Sequence, residues 1–186
     1  KEFKGDIFWD EPLSRHTSFR VGGPADVYIY PKDLEDLKSI FKKICDSHIP
    51  WLVMGDGSNL LVSDNGFRGV VINLFSLHAL KMMAQHEKHV EVYVGAGLRK
   101  QKFLSWAIQK GFSGVEFLGG IPGQIGGGLF MNAGTHLGSF SDVVKKIELI
   151  NSRGREEEHI VQPSDFSYRK QYFCDTGIVT GALLRL

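Results

Sequence analysis

The 186 residues carry 22 Lys+Arg against 21 Asp+Glu, a formal net charge of +1, with 42% hydrophobic and 23% charged side chains. That balance excludes a disordered polyelectrolyte and the basic footprint of a nucleic-acid binder, and it leaves enough apolar side chain for a packed core in one domain or two small ones. No stretch approaches the ~18 consecutive apolar residues of a membrane-spanning helix, and Cys45 and Cys174 are too few for a disulfide framework, which points to a reducing, cytoplasmic setting.

The opening Lys1-Glu2-Phe3-Lys4-Gly5-Asp6 lacks an initiator Met and the apolar core of a secretory signal, and so reads as the start of an excised piece. Asp26-Val27-Tyr28-Ile29-Tyr30 is strand-like and ends at Pro31. Asp33 is placed to cap a helix whose apolar face is Leu34, Leu37, Ile40, Phe41, Ile44 and Cys45, with Lys38, Lys42, Lys43 and Asp46 left for solvent. Trp51-Leu52-Val53-Met54 and Gly69-Val70-Val71-Ile72-Asn73-Leu74 are continuous apolar runs that predict buried strands, and Asn59-Leu60-Leu61-Val62 reads as more strand. Residues 1–74 therefore form a β-α-β subdomain, with a boundary near Phe75-Ser76 and a second subdomain over residues 75–186.

In that second part, Leu80-Lys81-Met82-Met83 and Val90-Glu91-Val92-Tyr93-Val94 flank the polar turn His86-Glu87-Lys88 as a hairpin. Residues 98–110 predict a helix with Phe103, Leu104, Ala107 and Ile108 inward and Gly111 as its stop. A glycine-dense stretch follows over residues 119–138. Ile147-Glu148-Leu149-Ile150 and Glu158-His159-Ile160-Val161 pair around Asn151-Ser152-Arg153-Gly154, and residues 178–186 end the chain as a strand. The class is mixed α+β. Trp9, Trp51, Trp106, Phe112 and Phe117 read as core, and the Glu156-Glu157-Glu158 run as a solvated strand edge.

Two glycine clusters carry the chemistry. Gly55-Asp56-Gly57-Ser58-Asn59-Leu60-Leu61 follows a buried strand; it is either a plain tight turn or a loop whose bare N–H groups meet an anion, with Ser58 and Asn59 adding donors. No third glycine opens a helix after it, and no P-loop Lys is present, so neither a Rossmann turn nor a P-loop fits. The second cluster, Gly119-Gly120-Ile121-Pro122-Gly123-Gln124-Ile125-Gly126-Gly127-Gly128 leading into Met131-Asn132-Ala133-Gly134, spends seven glycines in a short span. Such a loop either packs closely on a strand or presses flat against an extended phosphate-bearing ligand. Two loops of this kind could grip one dinucleotide from both sides.

Four blocks in order carry a resemblance: residues 17–25 (Thr17-Ser18-Phe19-Arg20-Val21-Gly22-Gly23-Pro24-Ala25), the Gly55 to Leu61 loop, the Gly120 to Gly134 stretch, and Tyr168-Arg169. Together they resemble the UDP-N-acetylenolpyruvoylglucosamine reductase family from about Leu13 to the last residue. The resemblance implies a two-subdomain α+β FAD-binding fold of the vanillyl-alcohol-oxidase (PCMH) type, with the flavin between the subdomains. It implies that Gly55, Asp56, Gly57, Ser58, Asn59 and Leu60, with Gly119, Gly120, Ile121, Pro122, Gly126 and Gly127, hold the pyrophosphate. Asn132, Ala133 and Gly134 would lie nearby, and Gly177-Ile178 would approach the ring edge. The implied reaction moves a hydride from NADPH through FAD to an enolpyruvyl UDP-sugar, yielding the peptidoglycan precursor UDP-N-acetylmuramate.

Arg169 is the catalytic residue that the resemblance implies, with Tyr168 lining the substrate pocket; a guanidinium stays charged and offers a planar fork to a carboxylate or a developing enolate. Three departures stand out. Gln171 replaces a common Ser, and Gln124 replaces a Thr or Ser, which would turn a hydroxyl contact to phosphate into an amide one. In the family the chain continues past the strand matched by residues 178–186 into a third domain, whose proton-donating Ser and late Glu are not among these 186 residues, so the expectation is a fragment with little turnover. The rivals are a flavin oxidase or dehydrogenase of the same fold and a non-catalytic flavin module. Among seven histidines none sits in an HExxH pattern; His86 and His89 read as solvated, and no metal is expected.

Overall fold

The computed structural model describes residues 2–174 and 177–186. A four-stranded sheet is built from β1 (Asp6–Pro12), β2 (Pro24–Tyr30), β3 (Trp51–Val53) and β4 (Phe67–Ile72) in the order β1-β2-β4-β3. Strands β2 and β3 run parallel to β4, and β1 runs antiparallel to β2. The crossover between β2 and β3 is α1 (Leu34–Asp46), started where the sequence places it: the Asp33 side chain accepts from the Asp36 N–H at 2.9 Å. The Asp36 carboxylate accepts in turn from the Lys4 and Lys32 amides at 3.0 Å each, tethering the chain's opening residues to the helix start.

Strand β1 escapes the sequence reading because its side chains are neither alternating nor covered. Trp9, expected in the core, is 72% exposed on this edge strand. Residues 59–62 are also not a strand. They run as an irregular arm with Leu61 exposed, and the Gly23 amide bonds to the Ser63 carbonyl at 2.9 Å.

The second sheet is antiparallel throughout, in the order β10-β9-β13-β6-β5, from β5 (Leu80–Gln85), β6 (Val90–Gly95), β9 (Val144–Ile150), β10 (Glu156–Ile160) and β13 (Ile178–Arg185). The last strand thus lies at the centre. Between β6 and β9 come α2 (Lys100–Lys110), α3 (Ile125–Phe130), the small hairpin β7 (Gly134–Thr135) and β8 (Gly138–Ser139), and α4 (Phe140–Val143). Gly111, at φ +71°, ends α2 in the left-handed region, and its amide returns to the Ala107 and Ile108 carbonyls. Phe103 and Ala107 are fully buried, but Ile108, expected inward, points out at 67% exposure, because each residue turns about 100° round the helix. The middle of the glycine-dense stretch is helix α3 rather than loop. Its glycines permit close packing: a Cβ on Gly128 would overlap the Phe140 ring, and one on Gly126 would come within 2.9 Å of the Ala96 methyl.

Three apolar clusters hold these layers. Phe103, Leu118, Ile125, Phe140 and Ala182 pack between the second sheet and its helices. Leu37, Phe41 and Ile44 of α1 pack on Ile29, Val70 and Ile72, and the same cluster takes in Ile150 and Ile178 from the second sheet and Ala96 just past the end of β6. Hydrophobic burial therefore joins the two sheets directly, each large side chain contributing about 2–3 kcal/mol. On the other face of the first sheet, Leu13, Ala25, Tyr28, Met54 and Val71 form the third cluster.

Candidate functional site: a cleft between two glycine loops

The first glycine loop leaves β3 and is held from beneath by Asn73. The Asn73 side-chain amide donates to the buried Tyr28 hydroxyl at 2.9 Å and to the Gly55 carbonyl at 3.2 Å, while its oxygen accepts from the Phe75 amide at 2.9 Å. Burial pushes the Tyr28 phenol far above its ordinary value, so it stays a neutral hydroxyl. A further anchor comes from the Ser18 amide, which donates to the Gly57 carbonyl at 3.2 Å.

The second loop is sewn to the end of β6 and the start of α2. The Lys100 amide donates to the Gly123 carbonyl at 3.0 Å, and the Ile125 and Gly126 amides donate to the Leu98 and Ala96 carbonyls, both at 2.8 Å. Gly123 sits at φ +98°, a conformation that side-chain-bearing residues rarely adopt.

Gln124 joins the two loops. It is 5% exposed, and its Nε2 donates to Asp56 Oδ1 at 3.1 Å; Arg99 Nε lies 3.6 Å from the other Asp56 oxygen. Gln124 therefore commits one N–H of its side-chain amide to Asp56. Asp56 is in turn a structural acceptor whose charge is partly balanced by Arg99.

Between the loops opens a cavity of about 830 Å³, within the ~300–1,000 Å³ range usual for small-molecule sites. Of the residues singled out in the sequence, Gly55, Asp56, Gly57, Ser58, Asn59, Leu60, Ile121, Pro122, Gly126, Gly127, Ala133, Gly134, Arg169, Gly177 and Ile178 line it. Gly119, Gly120, Asn132 and Tyr168 do not. Gly119 and Gly120 face solvent before the loop turns inward, and Tyr168 is 87% exposed. Asn132 is a strut: its amide donates to the Ser167 carbonyl at 3.1 Å and its oxygen accepts from the Ser141 amide at 3.0 Å. A second cavity, of about 820 Å³, carries Arg15, His16 and Arg99, and the tips of both loops separate it from the first.

Arg169 occupies the turn of a tight hairpin, β11 (Phe166–Ser167) and β12 (Lys170–Gln171), in the left-handed region at φ +59°. Its Nη2 donates to the Gly134 carbonyl at 2.8 Å, and the guanidinium carbon lies 5.3 Å from the centroid of the Tyr168 ring. Gln171 is buried and organises the next turn: its oxygen accepts from the Phe173 and Cys174 amides and its amide donates to the Cys174 carbonyl, all at 2.8 Å.

Lys100 went unnoticed in the sequence. It lines the cavity while only 5% exposed, and among the described residues nothing accepts a hydrogen bond from its Nζ or pairs with it within 4.0 Å. Desolvation lowers its pKa to about 8, opposed by the Asp56 charge. A signal was available: a Lys in the first turn of a helix runs against the helix dipole. Away from the cleft, ligand atoms of His86, His89 and Glu91 lie within 4.8 Å of one another. Arg185 Nη2 sits 3.2 Å from His89 Nδ1, and its charge lowers the His89 pKa after desolvation, so a cation there would meet a guanidinium.

Residues 25–158 match a family model described as FAD binding domain. The chain belongs to the FAD-binding domain family. A UDP-N-acetylenolpyruvoylglucosamine reductase from Geobacter sulfurreducens is 42% identical over 155 residues, covering 83% of this chain and 50% of that protein. The reductase of the same description from Geobacter metallireducens is 40% identical over all 186 residues, or 60% of its own length. The chain thus spans about half the length of the curated relatives it matches. Among solved structures, the reductase (MurB) from Thermus caldophilus superposes with a TM-score of 0.78 at 32% identity, over 97% of this chain and 61% of that one. A solvent-stable cholesterol oxidase shares the fold alone, with a TM-score of 0.72 at 13% identity over 100% of this chain and 39% of the oxidase. The resemblance carried by the four sequence blocks thus extends along the whole FAD-binding domain, with the α+β fold of the vanillyl-alcohol-oxidase (PCMH) type.

The cleft fits such a cofactor. Leu52, Val53, Leu60, Ile121, Ile178 and Val179 supply apolar wall for flat rings, while Lys100 and Arg169 supply positive charge. At Gly123 a Cβ would come within 2.8 Å of Ser58 Oγ and 3.5 Å of Lys100 Nζ, so the bare backbone keeps open the space between the loops. Among the described residues no helix is long and apolar enough to cross a membrane.

Proposed function

We propose that this chain is the flavin-holding part of an NADPH-dependent reductase that converts UDP-N-acetylenolpyruvoylglucosamine to UDP-N-acetylmuramate in peptidoglycan synthesis. The observation that carries the reading is the cleft itself, in which two glycine loops and Arg169 line one cavity in a chain 42% identical to a reductase of that name. When bound, FAD supplies the hydride chemistry, accepting from NADPH and donating to the enolpyruvyl double bond.

The chain's own part is positioning and charge. Main-chain N–H groups of the Gly55 to Leu60 loop and of Gly123, Gln124 and Gly127 hold the diphosphate, the Ile121, Ile125 and Gly126 amides being bonded to the Leu118, Leu98 and Ala96 carbonyls. Gly177 and Ile178 close on the ring end. Arg169, fixed by its bond to the Gly134 carbonyl, directs a guanidinium at the substrate carboxylate and at the charge that develops beside it. Tyr168, exposed beneath that guanidinium, borders the approach of the UDP-sugar. On this reading residues 1–74 and 75–186 are the two FAD-binding subdomains; the two sheets, which fall on either side of that boundary, support it. Two cysteines, Cys45 and Cys174, are too few for a disulfide framework, which suits a reducing cytoplasm.

The test is an anaerobic titration of the chain with FAD, followed by NADPH. Uptake of FAD and bleaching by NADPH is the expected result. Bleaching only by an alcohol or hydroxy acid would move the chain to the oxidases, and no uptake of FAD would overturn the reading.

A further inference from the structure

A buried ammonium is costly unless a carboxylate or other acceptor meets it. Lys100 has no such acceptor among the described residues. Asp56 acts on it only through space, and the Asp56 oxygens are engaged by Gln124 Nε2 and Arg99 Nε. No fully enclosed side-chain polar atom among the described residues lacks a hydrogen bond, so the Lys100 Nζ must open onto the cavity that it lines. Its position is set twice: the Lys100 amide donates to the Gly123 carbonyl, and its side chain folds back so that Nζ lies 3.5 Å from where a Gly123 Cβ would stand. Ser58 Oγ approaches the same point from the opposite loop, at 2.8 Å. A cation, a hydroxyl and a side-chain-free backbone thus converge where the two loops face each other.

We propose that Lys100 is the cationic contact for the diphosphate of the bound dinucleotide, with Ser58 as the hydroxyl donor opposite it. This rests on the reading that FAD occupies the cleft. Among the described residues the Lys100 charge meets no partner, and an anionic ligand completes it; the lysine then contributes to affinity through the phosphates rather than through the flavin ring. Charges facing it are Asp56 on the first loop, Arg99 beside it at the start of α2, and Arg169 elsewhere on the cavity wall. Because the free ammonium titrates near pH 8, binding the diphosphate takes up protons above that pH, and FAD affinity falls from pH 7 to 9.5.

The experiment titrates FAD and riboflavin, by calorimetry and flavin fluorescence, into the chain and into Lys100→Met and Lys100→Arg. Lys100→Met is expected to weaken FAD by about 10- to 100-fold, to leave riboflavin within about twofold, and to abolish the pH 7 to 9.5 slope and the proton uptake; Lys100→Arg is expected to retain most of the FAD affinity. Because Lys100→Met deletes a buried charge, its ligand-free melting temperature at pH 7 should equal or exceed the parent's, which separates binding from folding. If the parent binds FAD and Lys100→Met binds it equally, or loses riboflavin in parallel, the proposal is overturned while the FAD reading stands. If the parent takes up no FAD, both fall.

Discussion

The Gln124 side-chain amide donates to Asp56 Oδ1 at 3.1 Å, and this hydrogen bond joins two loops 68 residues apart in the chain. Each loop is anchored separately to its own sheet, so the bond sets the distance between them. Removing it by Gln124→Ala leaves the half-buried Asp56 carboxylate with the looser Arg99 pair at 3.6 Å. Loss of such a charged, largely buried hydrogen bond costs about 1.5–3 kcal/mol. Gln124→Glu should be worse, because it places a carboxylate against Asp56. Thermal melts ranking the parent above Ala and Ala above Glu, with FAD affinity following the same order, are the expected result; equal melts would show that the loops hold their spacing without it.

Gly123→Ala should spare the fold and damage the site. The left-handed φ of +98° costs an alanine about 1–2 kcal/mol, and its methyl would stand 2.8 Å from Ser58 Oγ, in the space between the loops. Circular dichroism should remain that of the parent, while FAD affinity drops at least about tenfold. Unchanged affinity would mean that the ligand does not pass between Ser58 and Gly123.

Asn73→Ala removes three hydrogen bonds at once: those to the Tyr28 hydroxyl, the Gly55 carbonyl and the Phe75 amide. The expected loss is about 2–4 kcal/mol, against about 1 kcal/mol for Tyr28→Phe, which also removes the buried phenol oxygen that Asn73 serves. Urea denaturation of both variants and of the double variant checks this, and the two losses should be less than additive because the side chains share a bond.

The ligand-free chain should gain stability as the pH rises past Lys100's own titration. Burial holds the folded-state pKa at about 8 against an ordinary value of 10.5, so between those values the unfolded chain carries more protons. The penalty is therefore fully present below pH 8 and is relieved between pH 8 and 10.5, by at most about 3 kcal/mol. Lys100→Met should exceed the parent in stability at pH 7 and converge with it at pH 10. A constant difference across that range would mean that Lys100 is not desolvated in the folded chain.

Local neighbours alone determined much of this protein. The spacing of Leu37, Phe41 and Ile44, the Asp33 cap, the Gly111 stop and the hairpin around residues 151–154 depend on residues a few positions apart, and each stands in the fold as read. The two glycine clusters and the Tyr168-Arg169 pair likewise marked the segments that line or border the cleft. Tertiary structure decided the rest. Trp9 lies exposed because β1 is a sheet edge, and Gly126 to Gly128 become helix because Ala96 and Phe140 lie against them. Gln124 turns to Asp56, and Lys100 is stripped of water, because loops distant in sequence meet there. Burial and pairing are set by which segments come together in space, and no periodicity within a single segment encodes that.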